Sequence, residues 1–337
     1  MRILVTGGAG YIGSHTVVEC LARGHDVVVL DNFENSSPVA VVQVARITGR
    51  EVPTERVDIR DCDGVAAVLL KHRIDAVVHL AALKAVGESC LDPLAYFDTN
   101  IVGTVSLLRA MRKAAVNLIV FSSSATVYGE PERSPIPEDA PRMATSPYGR
   151  SKIVAEDLID DVCASHPEFR AAILRYFNPV GAHFSGLIGE DPRGTPGNIM
   201  PFLCQVAAGQ RAELPIFGDD YPTPDGTGVR DYVHVMDLAR AHADALDFVL
   251  GKQRNLTVNL GCGHGFSVLE LVRAFSESNG VSIPCRRMPR RQGDIGQAFA
   301  DVTLARQLLG WKAVLGLDRM CMDAWRWQTM NPHGFGV

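Results

Sequence analysis

The segment Arg2-Ile-Leu-Val-Thr6-Gly-Gly-Ala-Gly-Tyr-Ile-Gly13 narrows the fold more than any other stretch of the chain. A short run rich in β-branched residues meets glycines at 7, 10 and 13, and a helical pattern starts directly after them. Such a turn needs positive φ, and the absence of side chains lets backbone approach a pyrophosphate closely. The helix N-terminus then offers N–H groups and partial positive charge to phosphates. A glycine turn alone is weak evidence. Here Asp31 follows the second apolar run, about 20 residues beyond the loop, where a ribose-binding acid belongs. A carboxylate at that point repels a 2′-phosphate, so the expected dinucleotide is NAD rather than NADP.

The rest of the first half repeats the rhythm. Residues 2–6, 26–30, 76–80, 118–122 and 171–175 are short apolar runs bounded by turn residues or charges. Their apolarity is continuous rather than alternating, which suits strands buried on both faces of a parallel sheet. Helical spacing fills 12–23, 65–72, 93–113 and 148–165. The expected fold is α/β: a Rossmann-like doubly wound parallel sheet with a smaller, interleaved C-terminal substrate domain. Beyond Tyr176 the composition changes. Residues 179–228 are rich in Gly, Pro and Asp, with one helix expected near 201–209, and 229–250 returns to strand then helix. Ser267-Val-Leu-Glu270 reads as a capping box ahead of a further helix. The expected domains are 1–178, also receiving about 229–250, for the dinucleotide, and 179–228 with 251–337 for the substrate.

Composition excludes several classes. The chain has 337 residues, 47% apolar and 21% charged, which argues against disorder. A net charge of −5 gives no sign of a nucleic-acid or membrane partner, so an anionic ligand needs locally concentrated arginines. No stretch approaches the roughly 20 apolar residues of a membrane span. The N-terminus lacks the apolar core of a secretion signal and reads as a strand. The eight cysteines are scattered without a CxxC pair, so neither zinc nor a disulfide framework is expected. Reduced thiols in the cytoplasm are the expectation.

Tyr148-Gly-Arg-Ser-Lys152 sets a phenol and an ammonium on one helix face. A lone pair of this kind is usually a solvated face. Upstream, however, Phe121-Ser-Ser-Ser-Ala-Thr-Val-Tyr128 brings Ser124 to the end of the fifth apolar run. A tyrosine base at neutral pH needs its pKa lowered by about three units, roughly 4 kcal/mol. A lysine cation and a positive nicotinamide ring both favour the phenolate. Ser124 can hydrogen-bond the same substrate hydroxyl and help move its proton.

At these residues the chain resembles the extended short-chain dehydrogenase/reductases. It is more similar still to the UDP-galactose 4-epimerases, from Met1 to about Gly334. The likeness is carried by Leu83-Lys-Ala-Val-Gly-Glu-Ser89, residues 122–129, Arg175-Tyr-Phe-Asn-Pro-Val-Gly181 and residues 219–237 with Asp225-Gly-Thr-Gly-Val-Arg-Asp-Tyr232. The resemblance implies reversible NAD-dependent inversion of UDP-galactose and UDP-glucose at sugar carbon 4 through a 4-keto sugar, with NAD bound tightly and regenerated each turnover.

It also implies roles for individual residues. Gly7, Gly10, Tyr11, Ile12 and Gly13 line the NAD pyrophosphate. Asp31, Asn32 and Ser36 meet the adenosine ribose, and Asp58 and Ile59 flank the adenine. Leu80, Ala81, Ala82, Lys84, Asn100, Ser122, Tyr148, Lys152, Tyr176 and Phe177 complete the cofactor side. Lys84, Ser124, Tyr148, Asn178, Asn198, Ile199 and Tyr232 contact the nucleotide sugar. Ile216 and Phe217 border the uracil, Arg230 and Arg291 neutralise the diphosphate, and Asp294 meets the uridine ribose. The arginine roles suit diphosphate chemistry, for which bidentate guanidinium contacts are apt. A homodimer through the helices at about 93–113 and 148–165 is implied as well.

Two positions depart from the family's pattern. Thr99 stands where some epimerases carry a second asparagine beside Asn100. Ala298, in the segment 293–301, stands where members restricted to glucose and galactose carry a tyrosine, whereas members accepting N-acetylated sugars carry a small residue. Tolerance of UDP-N-acetylglucosamine and UDP-N-acetylgalactosamine is therefore expected, unless Phe299 fills the space. A 4,6-dehydratase needs an Asp-Glu pair where Ala125 and Thr126 stand. A uronate or pentose nucleotide epimerase is the closer enzymatic alternative. A non-enzymatic NAD-sensing scaffold would be expected to lose Tyr148 or Lys152.

Overall fold

The computed structural model describes residues 1–291 and 294–336. The chain forms two units: 1–129, 141–176 and 239–258 make the first, and 130–140, 177–238 and 259–337 the second.

The first unit is built on a sheet in which Leu256–Leu260 is one edge. Strands β1 (Arg2–Thr6), β2 (Asp26–Leu30), β3 (Thr54–Glu55), β4 (Ala76–His79), β5 (Leu118–Ser124) and β6 (Arg170–Tyr176) supply the rest. Reading across, the order is Leu256–Leu260, β6, β5, β4, β1, β2, β3, and the pairings from β6 to β3 are parallel. The order reverses at β1, and ligands of such sheets bind outside the carboxyl strand ends at that switch. Val5, Val29, Val78 and Val120 are fully inaccessible, as continuous apolar runs in a doubly covered sheet should be. Helices α1 (Tyr11–Ala22), α2 (Pro38–Thr48), α3 (Cys62–Lys71), α4 (Val86–Leu91), α5 (Pro93–Phe97), α6 (Gly103–Lys113) and α7 (Pro147–Ser165) connect the strands. Leu4, Leu30, Val77, Leu107, Ile119, Phe121, Ile159 and Ile173 belong to one buried cluster between sheet and helices.

The single helix expected over 93–113 is interrupted. Between α5 and α6, Asp98–Val102 adopts a wider, π-type turn. Its cause is local: the Asn100 side chain accepts from Leu83 N at 2.9 Å and donates to Leu83 O at 3.0 Å and to Ser151 Oγ at 2.9 Å. One inserted residue turns Asn100 inward, and such bulges recur at functional sites.

The second unit is assembled from short strand pairs. Asn178–Val180 runs parallel to Tyr232–His234, and Leu214–Phe217 runs parallel to Cys285–Met288. Val229–Arg230 lies between Phe266–Ser267 and Gln297–Ala298. Leu203, Leu271, Phe275, Met320 and Cys321 are fully buried in its core. The capping box is present: Glu270 N donates to Ser267 Oγ at 3.0 Å, and Ser267 N donates to Glu270 Oε2 at 2.7 Å.

Candidate active site

The glycine loop is tightly constrained. Gly7 has φ 67°, and a Cβ there would stand 2.7 Å from Ala81 N. A Cβ on Gly13 would stand 2.1 Å from Gly7 O, and one on Gly10 3.2 Å from it. Gly10 starts α1 with no side-chain cap, so Tyr11, Ile12 and Gly13 form a first turn whose N–H groups point outward along the axis. Asp31 reaches back to the loop. Its Oδ2 accepts from Ala9 N at 3.0 Å, while Oδ1 accepts from Phe33 N at 3.0 Å and Ser36 Oγ at 2.8 Å. Asn32 Nδ2 donates to Asp58 Oδ2 at 2.9 Å, and Ile59 is buried beside it. Leu80 N and Ala81 N both donate to Thr6, leading into Ala82 and Leu83. Lys84 Nζ sits over the Tyr11 ring, 5.7 Å from its centroid.

Helix α7 presents the phenol and the ammonium. Ser146 caps it, accepting from Gly149 N at 3.1 Å, and Pro147 fixes its first φ. Tyr148 and Lys152 are both buried, as is Ser124 at the end of β5. Burial pushes the Tyr148 phenol above its ordinary value, and its hydrogen bond with Ser124 works in the opposite direction. Lys152 Nζ donates to Ser122 O at 2.8 Å and lies 6.0 Å from the Tyr148 ring centroid. Burial pushes Lys152 down to about 8, against the attraction of Glu156. Tyr176 is hydrogen-bonded to Ser122 Oγ through its hydroxyl. Tyr96 meets the Tyr148 ring edge-on at 6.4 Å. The first unit thus gathers Ser122, Ser124, Tyr148, Lys152 and Tyr176 at the carboxyl ends of β5 and β6, with Asn100 tied to Ser151 on the same helix.

In the second unit the expected residues fall into three groups. Phe217 carries the Arg291 guanidinium 4.6 Å above its ring, and Arg291 Nε donates to Asp294 Oδ2 at 2.9 Å. Ile216 precedes Phe217 on the same strand and is buried. Arg230 pairs with Ala298 across parallel strands, and Phe177 precedes Asn178, which pairs with Tyr232. Asn198 caps the helix Ile199–Ala207 by position, and its Nδ2 donates to Glu190 Oε1 at 2.7 Å. Gly293, the first residue of the segment around Ala298, lies outside the described residues.

Three buried or bridging charges were not singled out by the sequence reading. Glu156 lies one turn past Lys152 and is fully inaccessible. Arg60 bridges Asp58 and Asp98, and holds Asp58 well below the usual carboxylate range. Asp231 accepts from Cys262 N, Gly263 N and Ala300 N at 2.6, 3.0 and 3.1 Å, and burial pushes it up to about 6. In sequence each looks like an ordinary surface charge; only Asp231, between Arg230 and Tyr232, stood inside a singled-out motif.

A glycine loop at the switch point of a parallel sheet, with Ser124, Tyr148 and Lys152 at neighbouring strand ends, defines the extended short-chain dehydrogenase/reductase class. Comparison with known proteins narrows this. The family model described as GDP-mannose 4,6 dehydratase matches residues 4–324. A UDP-glucose 4-epimerase of Bacillus subtilis is 53% identical over 335 residues, 99% of this chain and 99% of that protein. A crystal structure of UDP-glucose 4-epimerase from Stenotrophomonas maltophila, with bound NAD and formylated UDP-arabinopyranose, is 54% identical with a TM-score of 0.97. It covers 98% of this chain and 99% of its own. The UDP-Glc/GlcNAc 4-epimerase of Campylobacter jejuni is 38% identical with a TM-score of 0.85, covering 98% and 99%. The chain belongs to the UDP-glucose 4-epimerase family, and it is an isomerase of that family.

Proposed function

We propose that the protein interconverts UDP-galactose and UDP-glucose by inverting sugar carbon 4, with Tyr148 as the acid–base group. The observation that carries this reading is the buried cluster of Tyr148, Ser124 and Lys152, the last donating to Ser122 O at 2.8 Å. NAD suits the glycine loop, because the α1 N-terminus has no side-chain cap and can offer its N–H groups to a pyrophosphate, and the loop that presents it is so tight that a Cβ at Gly7 or Gly13 would strike the chain's own backbone. Gly7, Gly10, Tyr11, Ile12 and Gly13 hold that pyrophosphate. Asp31, Asn32 and Ser36 hold the adenosine ribose, and Asp58 and Ile59 the adenine. Leu80, Ala81, Ala82, Lys84, Asn100, Ser122, Lys152, Tyr176 and Phe177 complete the cofactor contacts. Bound there, NAD supplies a hydride acceptor and donor, so carbon 4 is oxidised to a ketone and reduced again with no net redox change.

The protein's own part is proton movement and binding. Tyr148 takes the proton of the 4-hydroxyl and later returns it, with Ser124 bonded to the same hydroxyl. Lys152 favours the phenolate by charge. Arg230 and Arg291 hold the diphosphate, Ile216 and Phe217 the uracil, and Asp294 the uridine ribose. Lys84, Asn178, Asn198, Ile199 and Tyr232 complete the nucleotide-sugar contacts. With the uridine diphosphate fixed, the keto sugar turns about its phosphate link and offers its other face.

Three further readings belong to the same proposal. Ala298 leaves room for an N-acetyl group at sugar carbon 2; in its support, Phe299 is turned toward Gly265, whose hypothetical Cβ would meet that ring at 3.1 Å. The protein is a homodimer through α5–α6 and α7; Leu94, Val102 and Val154 on these elements are 76, 50 and 38% exposed. It works in the cytoplasm, where eight free thiols stay reduced. Among the described residues no helix is long and apolar enough to cross a membrane.

The test is to incubate purified protein, without added NAD, with UDP-galactose and separately with UDP-N-acetylgalactosamine, and to separate the products. UDP-glucose formation supports the epimerase and a retained cofactor together. Conversion of the acetylated sugar supports the open site at Ala298. No change in either sugar, even with NAD supplied, overturns the reading for these substrates.

A further inference from the structure

Beneath the acid–base cluster lies a second, wholly buried polar group. Glu156 is one helical turn beyond Lys152 on α7, and its carboxylate is inaccessible. It accepts from Arg175 on β6, through Nη2 at 2.7 Å and Nε at 3.0 and 3.2 Å. It also accepts from Ser123 Oγ on β5, and from Arg142 Nη1 at 3.0 Å. Arg175 donates in turn to Tyr128 OH at 3.1 Å. The β5–β6 register pairs Ser123 with Arg175 and Ser124 with Tyr176, so every strand residue Glu156 grips adjoins a residue of the site.

Burying a carboxylate and a guanidinium strips both ions of water at a cost their attraction does not always recover, and well-packed apolar residues often replace such pairs without loss. Stability alone therefore does not explain the group. What the ion pair supplies, and an apolar contact does not, is directional register.

We propose that Glu156 is a positioning residue for the reaction. Its single carboxylate fastens the helix bearing Tyr148 and Lys152 to the strand ends bearing Ser122, Ser124 and Tyr176, and keeps Lys152 cationic. This rests on the assignment of Tyr148 and Lys152 as the acid–base pair. The charged and titratable groups around Lys152 and Glu156 include Tyr148 and Asp160 on α7, Arg175 and Tyr176 on β6, His79 on β4 and Arg142 ahead of α7. His79 stays neutral, pushed by burial and by Lys152 down to about 3. Against the dominant effect of burial, the Glu156 charge favours the protonated form of Lys152, so removing it makes Lys152 release its proton at lower pH.

The experiment uses purified protein with its retained cofactor and the variants Glu156→Gln, Ser123→Ala and Tyr148→Phe. It measures kcat and KM for UDP-galactose against pH, together with melting temperature and bound NAD. The expected result for Glu156→Gln is a kcat lower by about tenfold or more, a KM within about twofold, and an alkaline limb moved to lower pH. Ser123→Ala keeps the Glu156–Arg175 pair and loses one strand tether, so kcat falls by about threefold or more at unchanged KM. Folded Glu156→Gln with wild-type kcat and an unmoved limb overturns the proposal, as does a loss confined to KM. If Glu156→Gln does not fold, Ser123→Ala decides: lower kcat sustains the proposal and wild-type kinetics overturn it. An active Tyr148→Phe would sink the underlying acid–base assignment; an inactive one beside normal Glu156→Gln and Ser123→Ala sinks only the positioning role.

Discussion

Lys152 Nζ donates to the carbonyl oxygen of Ser122 at 2.8 Å, fixing the ammonium of α7 against the end of β5. That bond holds the lysine in a fully buried place, and burial pushes it down to about 8. The ammonium beside Tyr148 is therefore a property of pH as well as of geometry.

The first expectation concerns that pH. An exposed lysine keeps its proton to about 10.4, but this one loses it as pH rises through about 8. On the proposed roles, the cation supports the phenolate below that point and the support is gone above it. The kcat/KM for UDP-galactose should fall on the alkaline side with a midpoint near 8. A rate that stays level up to the ordinary lysine range would contradict this.

Ser124→Ala should act on the acidic side. Its hydrogen bond lowers the Tyr148 phenol, so its loss lets the phenol rise. The acidic limb should move to higher pH, and the rate at neutral pH should drop by about tenfold, with binding of UDP unchanged by titration calorimetry.

Gly13→Ala places a methyl 2.1 Å from Gly7 O. The loop must shift, at a cost of about 1–3 kcal/mol. The purified variant should carry less NAD per chain, measured after release by heat or acid, and melt earlier. Wild-type cofactor content would show that the loop is not the cradle.

Ala298→Tyr should restore the bulk that restricted family members carry. Turnover of UDP-N-acetylgalactosamine should fall by tenfold or more, in line with a steric loss of about 1–3 kcal/mol, while UDP-galactose is still converted. Equal loss on both sugars would mean the side chain has no selective role.

Leu94→Glu puts a charge on a side chain that is 76% exposed in the single chain. If α5 and α7 pair between two copies, the variant should run as a monomer in light scattering where the parent runs as a dimer. A parent that is itself monomeric would end the dimer reading.

Much of the first unit was legible because its signals are local. Arg2–Thr6 and Asp26–Leu30 match the expected strands residue for residue, since continuous β-branched runs between turns have few other solutions. The sheet's ends were less so. Thr54–Glu55 is two residues long and takes its strand form from pairing with Val29 and Leu30 rather than from its own pattern. The π-type turn at Asp98–Val102 was invisible because Asn100 reads as an ordinary helical residue until Leu83 and Ser151 are brought to it. In the second unit, strands such as Cys285–Met288 carry two arginines and exist through the ladder with Leu214–Phe217, which no local period announces. For the candidate site, Tyr148 and Lys152 stand out in sequence only together with the glycine loop and the upstream serines, and the structure buries both near Ser124. Glu156 does not stand out, since its buried partners Ser123 and Arg175 lie 33 and 19 residues away.

The most direct test of the central claim follows one hydrogen atom. UDP-galactose carrying deuterium at sugar carbon 4 is incubated with the protein in ordinary water, and the UDP-glucose formed is examined by mass spectrometry and NMR. The account, in which hydride leaves and returns at carbon 4, predicts that the product keeps the deuterium there. Loss of the label to water would contradict it and point to inversion by proton abstraction instead.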